Sequence, residues 1–146
     1  MRRLVATFMV IGVIAAIGAL APTALAAPRL LQVSPKQVNF GTQPVGSLTF
    51  AGVTVTNTSS VSLSVLVDAV QLPDDFNFGN LTGSTCIALE GQVLAPGESC
   101  VAVVGFQPSE FFAGHWQTAT LLVTARDPAS GALLQSVTVR VRGKGV

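Results

Sequence analysis

The sequence predicts an all-β fold for residues 27–146, an antiparallel β-sandwich of immunoglobulin type with about seven to nine strands. Apolar and polar residues alternate with period two through most of this region, which is typical of half-buried strands. β-Branched residues dominate the alternating segments, and turn-forming residues recur about every 8 to 12 positions. No segment here has a helical period. A closed β-barrel is the second choice.

The first 26 residues have the three parts of a secretory signal peptide. Arg2 and Arg3 form a basic start, residues 4–21 are apolar and uncharged, and Ala24-Leu25-Ala26 is a small-x-small cleavage pattern. A retained membrane anchor is the alternative, because the apolar run approaches the roughly 20 residues that span a bilayer. We expect cleavage after Ala26 and therefore export to the periplasm, the cell surface or the medium.

The remaining 120 residues can bury roughly 65% of their unfolded surface, enough for one self-sufficient domain. Val137, Val139 and Val141 alternate with Thr138 and two arginines, which predicts a final strand with one buried and one wet face. The candidate strands are residues 30–33, 38–40, 48–56, 61–67, 76–78, 86–89, 100–106, 118–125 and 137–142. Turn signals separate them at residues 44–46, 57–60, 73–75, 79–84, 96–97 and 127–131.

Two of these strands depart from simple alternation. Leu48 and Phe50 are apolar at even positions, whereas Val53 and Val55 are apolar at odd ones, so a β-bulge is expected at Gly52. Residues 100–106 are apolar at nearly every position, which indicates a central strand.

Charge and cysteine content narrow the function classes. Eight basic and seven acidic residues in the whole chain become six and seven after cleavage, a net charge of −1, so nucleic acid is not an expected partner. The two cysteines, Cys86 and Cys100, both lie in the exported part and predict a structural disulfide. A redox pair or metal site has weak support because there is no C-x-x-C motif and only one histidine, His115.

Five short motifs, in order, resemble one family. They are P-x-x-V-x-F-G at residues 35–41, V-T-V-T-N-T at 53–58, L-x-P-G-x-x-C at 94–100, F-x-P at 106–108 and V-x-G-x-G at 141–145. Together they resemble the ASPM/Hydin-type (ASH) immunoglobulin-like domain, which is similar to bacterial choice-of-anchor D domains and to the major sperm protein fold. The resemblance implies a seven-stranded sandwich and a non-catalytic module that binds proteins or spaces domains.

The chain departs from that pattern after Pro108, where Phe111, Phe112, His115 and Trp116 replace small or polar residues. Loops at the end of a sandwich often carry recognition residues, and exposed aromatic side chains serve as anchors, so this loop is the first candidate binding site. The competing interpretation, which the size of these side chains favours, is that they cap the open end of the core.

Arg140, Arg142 and Lys144 form the second candidate, a cationic face on the last strand. A row of three cationic side chains can bind an acidic polymer or an acidic partner. The interpretation favoured by sequence is that it protects an edge strand from further pairing, although the same edge can accept a partner strand.

Other sites have little support. Asp74-Asp75 with Gly79 does not complete a helix-flanked calcium loop, because Cys86 stands where the bidentate Glu is needed. One histidine, no tyrosine and no G-x-S-x-G turn provide no evident nucleophile and base, so we expect no enzyme activity and no cofactor. The leading hypothesis is a protein-binding module with an unidentified protein partner. The alternative is a small module that binds a carbohydrate or envelope polymer through the loop from Phe111 to Trp116.

Overall fold

The computed structural model describes residues 28–79, 81–86 and 91–146. The predicted signal peptide lies outside these residues, as does most of the candidate strand at 86–89. In the described part, the strands are β1 Leu31–Ser34, β2 Gln37–Gln43, β3 Thr49–Asn57, β4 Leu63–Gln71, β5 Phe76–Phe78, β6 Gln92–Leu94, β7 Ser99–Phe106, β8 Trp116–Arg126 and β9 Leu133–Gly145, with one 3-10 turn at Glu110–Phe112.

The strands form two packed sheets, as the alternation predicts. One has the order β1-β3-β7-β5 and the other β2-β9-β8-β4-β6. The chain changes sheets at Pro35, so that β1 pairs antiparallel with β3 whereas β2 runs parallel to β9. The predicted immunoglobulin-like β-sandwich is confirmed.

Three phenylalanine rings fill one end of the space between the sheets. The Phe106 ring centroid lies 5.5 Å from that of Phe40 and 4.8 Å from that of Phe76. A Cβ atom on Gly143 of β9 would lie only 2.6 Å from Cζ of Phe106. Glycine at position 143 therefore lets β9 approach the fully buried ring, a contact that no larger residue permits.

The β-bulge predicted at Gly52 is wrong. β3 pairs with β7 in unbroken register from Thr49 to Thr56. The apolar residues shift from even to odd positions because Phe50 points outward and is 53% exposed. Its ring covers the backbone of Gly105, which has no side chain. The central position predicted for residues 100–106 is confirmed, because β7 lies between β3 and β5.

Strand β6 was not predicted from the sequence. It has three residues, of which Leu94 is buried and Val93 is exposed. The buried side chain of Asn57 stabilises this region, because its Nδ2 donates to the carbonyl oxygens of Leu94, at 2.9 Å, and Val61, at 2.8 Å. The asparagine of the V-T-V-T-N-T motif thus ties β3 to β6 of the opposite sheet and to the turn that precedes β4.

The pairing of β9 with β2 begins only at Arg140, so the preceding half of β9 has no strand on that side. Here the Oε1 atom of Gln135 accepts hydrogen bonds from the backbone N–H groups of Leu30, at 2.8 Å, and Leu31, at 3.1 Å. One amide side chain therefore bridges the two sheets where the strand pairing is interrupted.

The turn predicted between the last two strands is present and is organised by Asp127. Its Oδ1 accepts the backbone N–H groups of Ala129 and Ser130, both at 2.8 Å. The bond from Ser130 and then that from Ala129 lower the pKa of the Asp127 carboxyl, because both favour its ionised form.

Replacing Gly143 with Ala should destabilise the fold. The added methyl group overlaps a fully buried ring that packs against Phe40 and Phe76, so we expect a loss of about 1 to 3 kcal/mol in the free energy of unfolding. Urea denaturation measures it. Gly52→Ala is the control, since its Cβ meets only Cγ1 of Val101 on the outer face. Equal stabilities for the two variants would contradict this account of Phe106 packing.

Asp127→Asn should show how much the negative charge of the Asp127 carboxylate contributes to the stability of the folded chain. The carboxylate stabilises the folded chain fully above the unfolded pKa of about 4, and this stabilisation disappears as pH falls through the lower folded pKa. We expect the native protein to exceed the variant in stability at neutral pH and the difference to shrink at strongly acidic pH. Urea titrations at both pH values test this, and a difference independent of pH would contradict it.

Candidate functional site

Three loops meet at the end of the sandwich that holds the phenylalanine cluster. They connect β2 to β3, β4 to β5, and β7 to β8. The backbone N–H of Gly46 donates to the carbonyl of Pro108 at 2.8 Å, and that of Gln107 donates to the carbonyl of Asp75 at 2.7 Å. These bonds attach the base of the β7–β8 loop to both neighbours and give it a defined position.

A cleft of about 510 Å³ lies between the three loops. Asp75, only 2% exposed, lies in its wall and accepts the backbone N–H of Ser109 at 3.1 Å through Oδ1. The Ser109 hydroxyl is buried and has no hydrogen-bond partner in the described part of the chain. The lining residues are Val45, Gly46, Asp74, Asp75, Gln107, Pro108, Ser109, Phe111 and Phe112.

Phe111 and Phe112 form the aromatic side of this cleft. Their rings meet edge to face with centroids 4.9 Å apart, and Phe111 is 86% exposed. None of the residues of the 3-10 turn is buried. The interpretation that the aromatic residues of this loop cap the core is therefore wrong, because the core at this end is already filled by Phe40, Phe76 and Phe106.

The four aromatic-loop residues do not form one site. His115 is exposed, and its backbone N–H donates to the carbonyl of Phe112 at 3.1 Å. Trp116 is the first residue of β8, is 51% exposed and does not line the cleft. Only Phe111 and Phe112 share the cleft.

Trp116 instead belongs with the cationic residues on the outer face of the five-stranded sheet. The guanidinium carbon of Arg142 lies 5.2 Å from the centroid of the Trp116 ring, a cation–π distance. In the strand register Trp116 is paired with Lys144. The structure thus combines parts of the two sites that the sequence placed separately.

The edge-protection interpretation of the cationic strand is wrong. At Arg140, Arg142 and Lys144, β9 is paired with β8 on one side and β2 on the other. The Arg140 backbone N–H donates to the carbonyl of Lys36 at 3.0 Å. The three cations therefore lie on an interior strand, and its backbone at these positions is not open to a partner strand.

Polar side chains on the neighbouring strands complete this surface, which sequence reasoning missed. Gln37 and Asn39 of β2 are paired with Arg140 and Arg142. A depression of about 570 Å³ lies over this part of the sheet. The parity of β2, with Val38 and Phe40 buried, is the signal that places the two amides outward, but only the pairing of β2 with β9 brings them beside the arginines.

The disulfide between Cys86 and Cys100 is confirmed. It attaches the segment that follows β5 to the central strand β7. Next to it, the backbone N–H of Cys86 donates to the carbonyl of Val101 at 2.9 Å, and the Val101 N–H donates to Oγ1 of Thr85 at 2.8 Å. The bond lies away from both candidate surfaces, since neither cysteine lines them.

The described residues contain neither a metal-ligand cluster nor a membrane-spanning helix. In residues 28–79, 81–86 and 91–146, no group of three or more His, Cys, Asp or Glu side chains converges as metal ligands would. No helix in these same ranges is both long and apolar enough to cross a membrane.

Comparison with solved structures identifies the fold. The chain matches the ASH/PapD-like domain 7 of human CEP192 with a TM-score of 0.66 at 8% identity, covering 92% of this chain and 98% of that one. WR4, a major sperm protein family member of C. elegans, matches with a TM-score of 0.55 at 11% identity, covering 78% and 97%. A protein of unknown function from Porphyromonas gingivalis W83 matches with a TM-score of 0.61 at 18% identity, covering 81% of this chain and 48% of that chain.

No protein-family model and no curated protein sequence matches the chain. Identities this low carry information about the fold alone. The architecture of the described residues nevertheless agrees with the family that the five motifs resemble, and this chain has the ASH-type, major-sperm-protein-like immunoglobulin fold.

Proposed function

We propose that this protein is an exported, non-catalytic module that binds another protein through the cleft at the end of the sandwich. The observation that carries the proposal is the 86% exposure of Phe111 beside a cleft whose backbone is held by inter-loop hydrogen bonds. A large apolar side chain on a positioned loop is a typical hot-spot anchor, because it adds contact area with little loss of conformational entropy.

The charges around the cleft indicate the chemistry of the partner. Asp74 and Glu110 are exposed beside Phe111 and Phe112, and Asp75 lies in the wall. A partner segment that combines an apolar side chain with a lysine or arginine complements this surface in both shape and charge. The cleft therefore favours a basic, apolar protein segment.

Two features support export. Residues 1–26 have the signal-peptide pattern, and the disulfide is the kind of bond that persists in oxidising compartments. The chemistry of the cleft supports a binding role, because the hydroxyl of Ser109 in its lining makes no hydrogen bond to a base among the described residues.

The test is site-specific photocrosslinking in the organism that makes the protein. A photoreactive phenylalanine analogue at position 111 should give one dominant protein adduct, and mass spectrometry should find an N-terminus near Ala27. The same analogue at Val70, which is 63% exposed on β4, is the control and should not give that adduct. Equal adducts at both positions, or none at position 111, would contradict the proposal.

Phe111→Ala should then weaken binding of the captured partner by about tenfold or more, because it removes the anchor. Its free energy of unfolding should change by no more than about 0.5 kcal/mol, since the side chain is exposed. Titration calorimetry measures the affinity and urea denaturation the stability. Unchanged affinity, with Val70→Ala as the matched control, would show that the cleft is not the interface.

A further inference from the structure

The outer face of the five-stranded sheet carries a second surface, which we call the cationic face. It consists of Trp116 and Thr118 on β8, Arg140, Arg142 and Lys144 on β9, and Gln37 and Asn39 on β2. The register arranges these side chains in rows across three adjacent strands. Arg142, for example, lies between Asn39 and Thr118.

The positive charge of this face is not balanced by its neighbours. Residues that alternate along a strand are about 6.8 Å apart on one face, so the three cations repel one another. Their partners on β2 and β8 are amides, hydroxyls and an indole, and none is a carboxylate. Edge protection does not explain the row, because β9 is paired on both sides here.

Trp116 gives the face an aromatic platform. The contact with Arg142 at 5.2 Å fixes the orientation of both groups, while half of the Trp116 surface is still exposed. The face of an indole ring is electronegative and apolar, so it attracts the C–H groups of a sugar ring. The guanidinium of Arg142, which lies over this ring, presents a planar fork of donors suited to a carboxylate or sulfate, and a sugar ring would stack on the part of the indole that is still exposed.

We propose that the cationic face binds an acidic polysaccharide, with Trp116 stacking on a sugar ring, Arg142 and its neighbouring cations holding acidic groups, and Gln37, Asn39 and Thr118 bonding hydroxyls. A depression of about 570 Å³, within the size range of small-ligand sites, is lined by Gln37, Asn39, Thr118, Arg140 and Arg142. Trp116 and Lys144 do not line it, and Trp116 adjoins it through its contact with Arg142. The ligand class follows from the combination of cations, amides, hydroxyls and one aromatic ring on one face of the sheet.

Two other anionic partners fit less well. An acidic peptide cannot add as a strand here, because the backbone of β9 between Arg140 and Gly145 is paired on both sides. A nucleic acid binder needs a broad field that contacts many phosphates, whereas this face has three cations in a chain with a net charge of +1, or −1 after the predicted cleavage. A glycan with spaced acidic groups and many hydroxyls matches the surface better.

Affinity electrophoresis with polygalacturonate as the probe tests the proposal, with its methyl ester as the uncharged control polymer. The acidic polymer should retard the protein and the ester should not. Arg142→Ala and Trp116→Ala should each weaken retardation by about tenfold or more, whereas Arg29→Ala, which removes the same charge from an exposed site elsewhere, should change it less than about twofold.

Three further measurements make the result decisive. Arg142→Lys should retain part of the affinity, because it keeps the charge and loses the planar fork. Phe111→Ala should bind the polymer normally, which separates this surface from the protein-binding cleft. Far-UV circular dichroism and thermal melting should show that each variant is folded.

Several outcomes would overturn the proposal. These are no retardation by polygalacturonate at low salt, equal retardation by the ester, or equal losses in Arg142→Ala and Arg29→Ala. Tighter binding to single-stranded DNA or to polyglutamate than to polygalacturonate would assign the face to another class of polymer.

Discussion

The close approach of Phe106 to Gly143 is the contact on which this end of the molecule depends. Phe106 ends the central strand of one sheet, and its ring contacts Phe40 and Phe76 between the two sheets at this end of the sandwich. The opposite sheet can close over that ring only because β9 has no side chain at position 143. Two residues later Gly145 allows the same close approach to Pro108, where a Cβ would lie 2.6 Å from that of the proline. The V-x-G-x-G ending is thus a packing requirement.

Both proposed surfaces follow from this packing. Pro108 fixes where the β7–β8 loop leaves the core, so the loop displays Phe111 instead of burying it. Because Gly143 and Gly145 face inward, the residues that alternate with them, Arg142 and Lys144, face outward. A single short loop then connects an acidic, aromatic cleft to a cationic sheet face. A module of this kind can hold a protein and a polymer at once, because the two surfaces use different residues.

The sequence was sufficient for the parts of the fold that depend on local pattern. Alternation placed most strands within a few residues, because a strand with one buried face must repeat with period two. It was insufficient where apolar residues are not buried. Phe50 covers Gly105 on the outer face, so in the sequence the apolar residues of β3 shift from even to odd positions. Strand β6 has only one inward residue, which is too few to show a period of two.

The candidate sites were only partly predictable for a related reason. Size alone favoured burial of Phe111, but burial depends on whether space is left, and Phe40, Phe76 and Phe106 already occupy it. Trp116 contacts Arg142 because of the register between β8 and β9. Asn39 lies beside Arg142 because β2 pairs in parallel with β9, a strand distant in the sequence. Long-range pairing of this kind leaves no trace in local alternation.

The bridge made by Gln135 has a chemical requirement of its own. Its Oε1 atom accepts two backbone N–H groups, so the position demands an acceptor oxygen at the end of a side chain of this length, which Glu shares and Lys lacks. The bonded residues, Leu30 and Leu31, lie just beyond the predicted cleavage point at Ala26. If the signal peptide is removed there, only a few residues precede the hydrogen bonds that hold Leu30 and Leu31 to Gln135. The mature chain then offers an exopeptidase only a short N-terminal segment to bind.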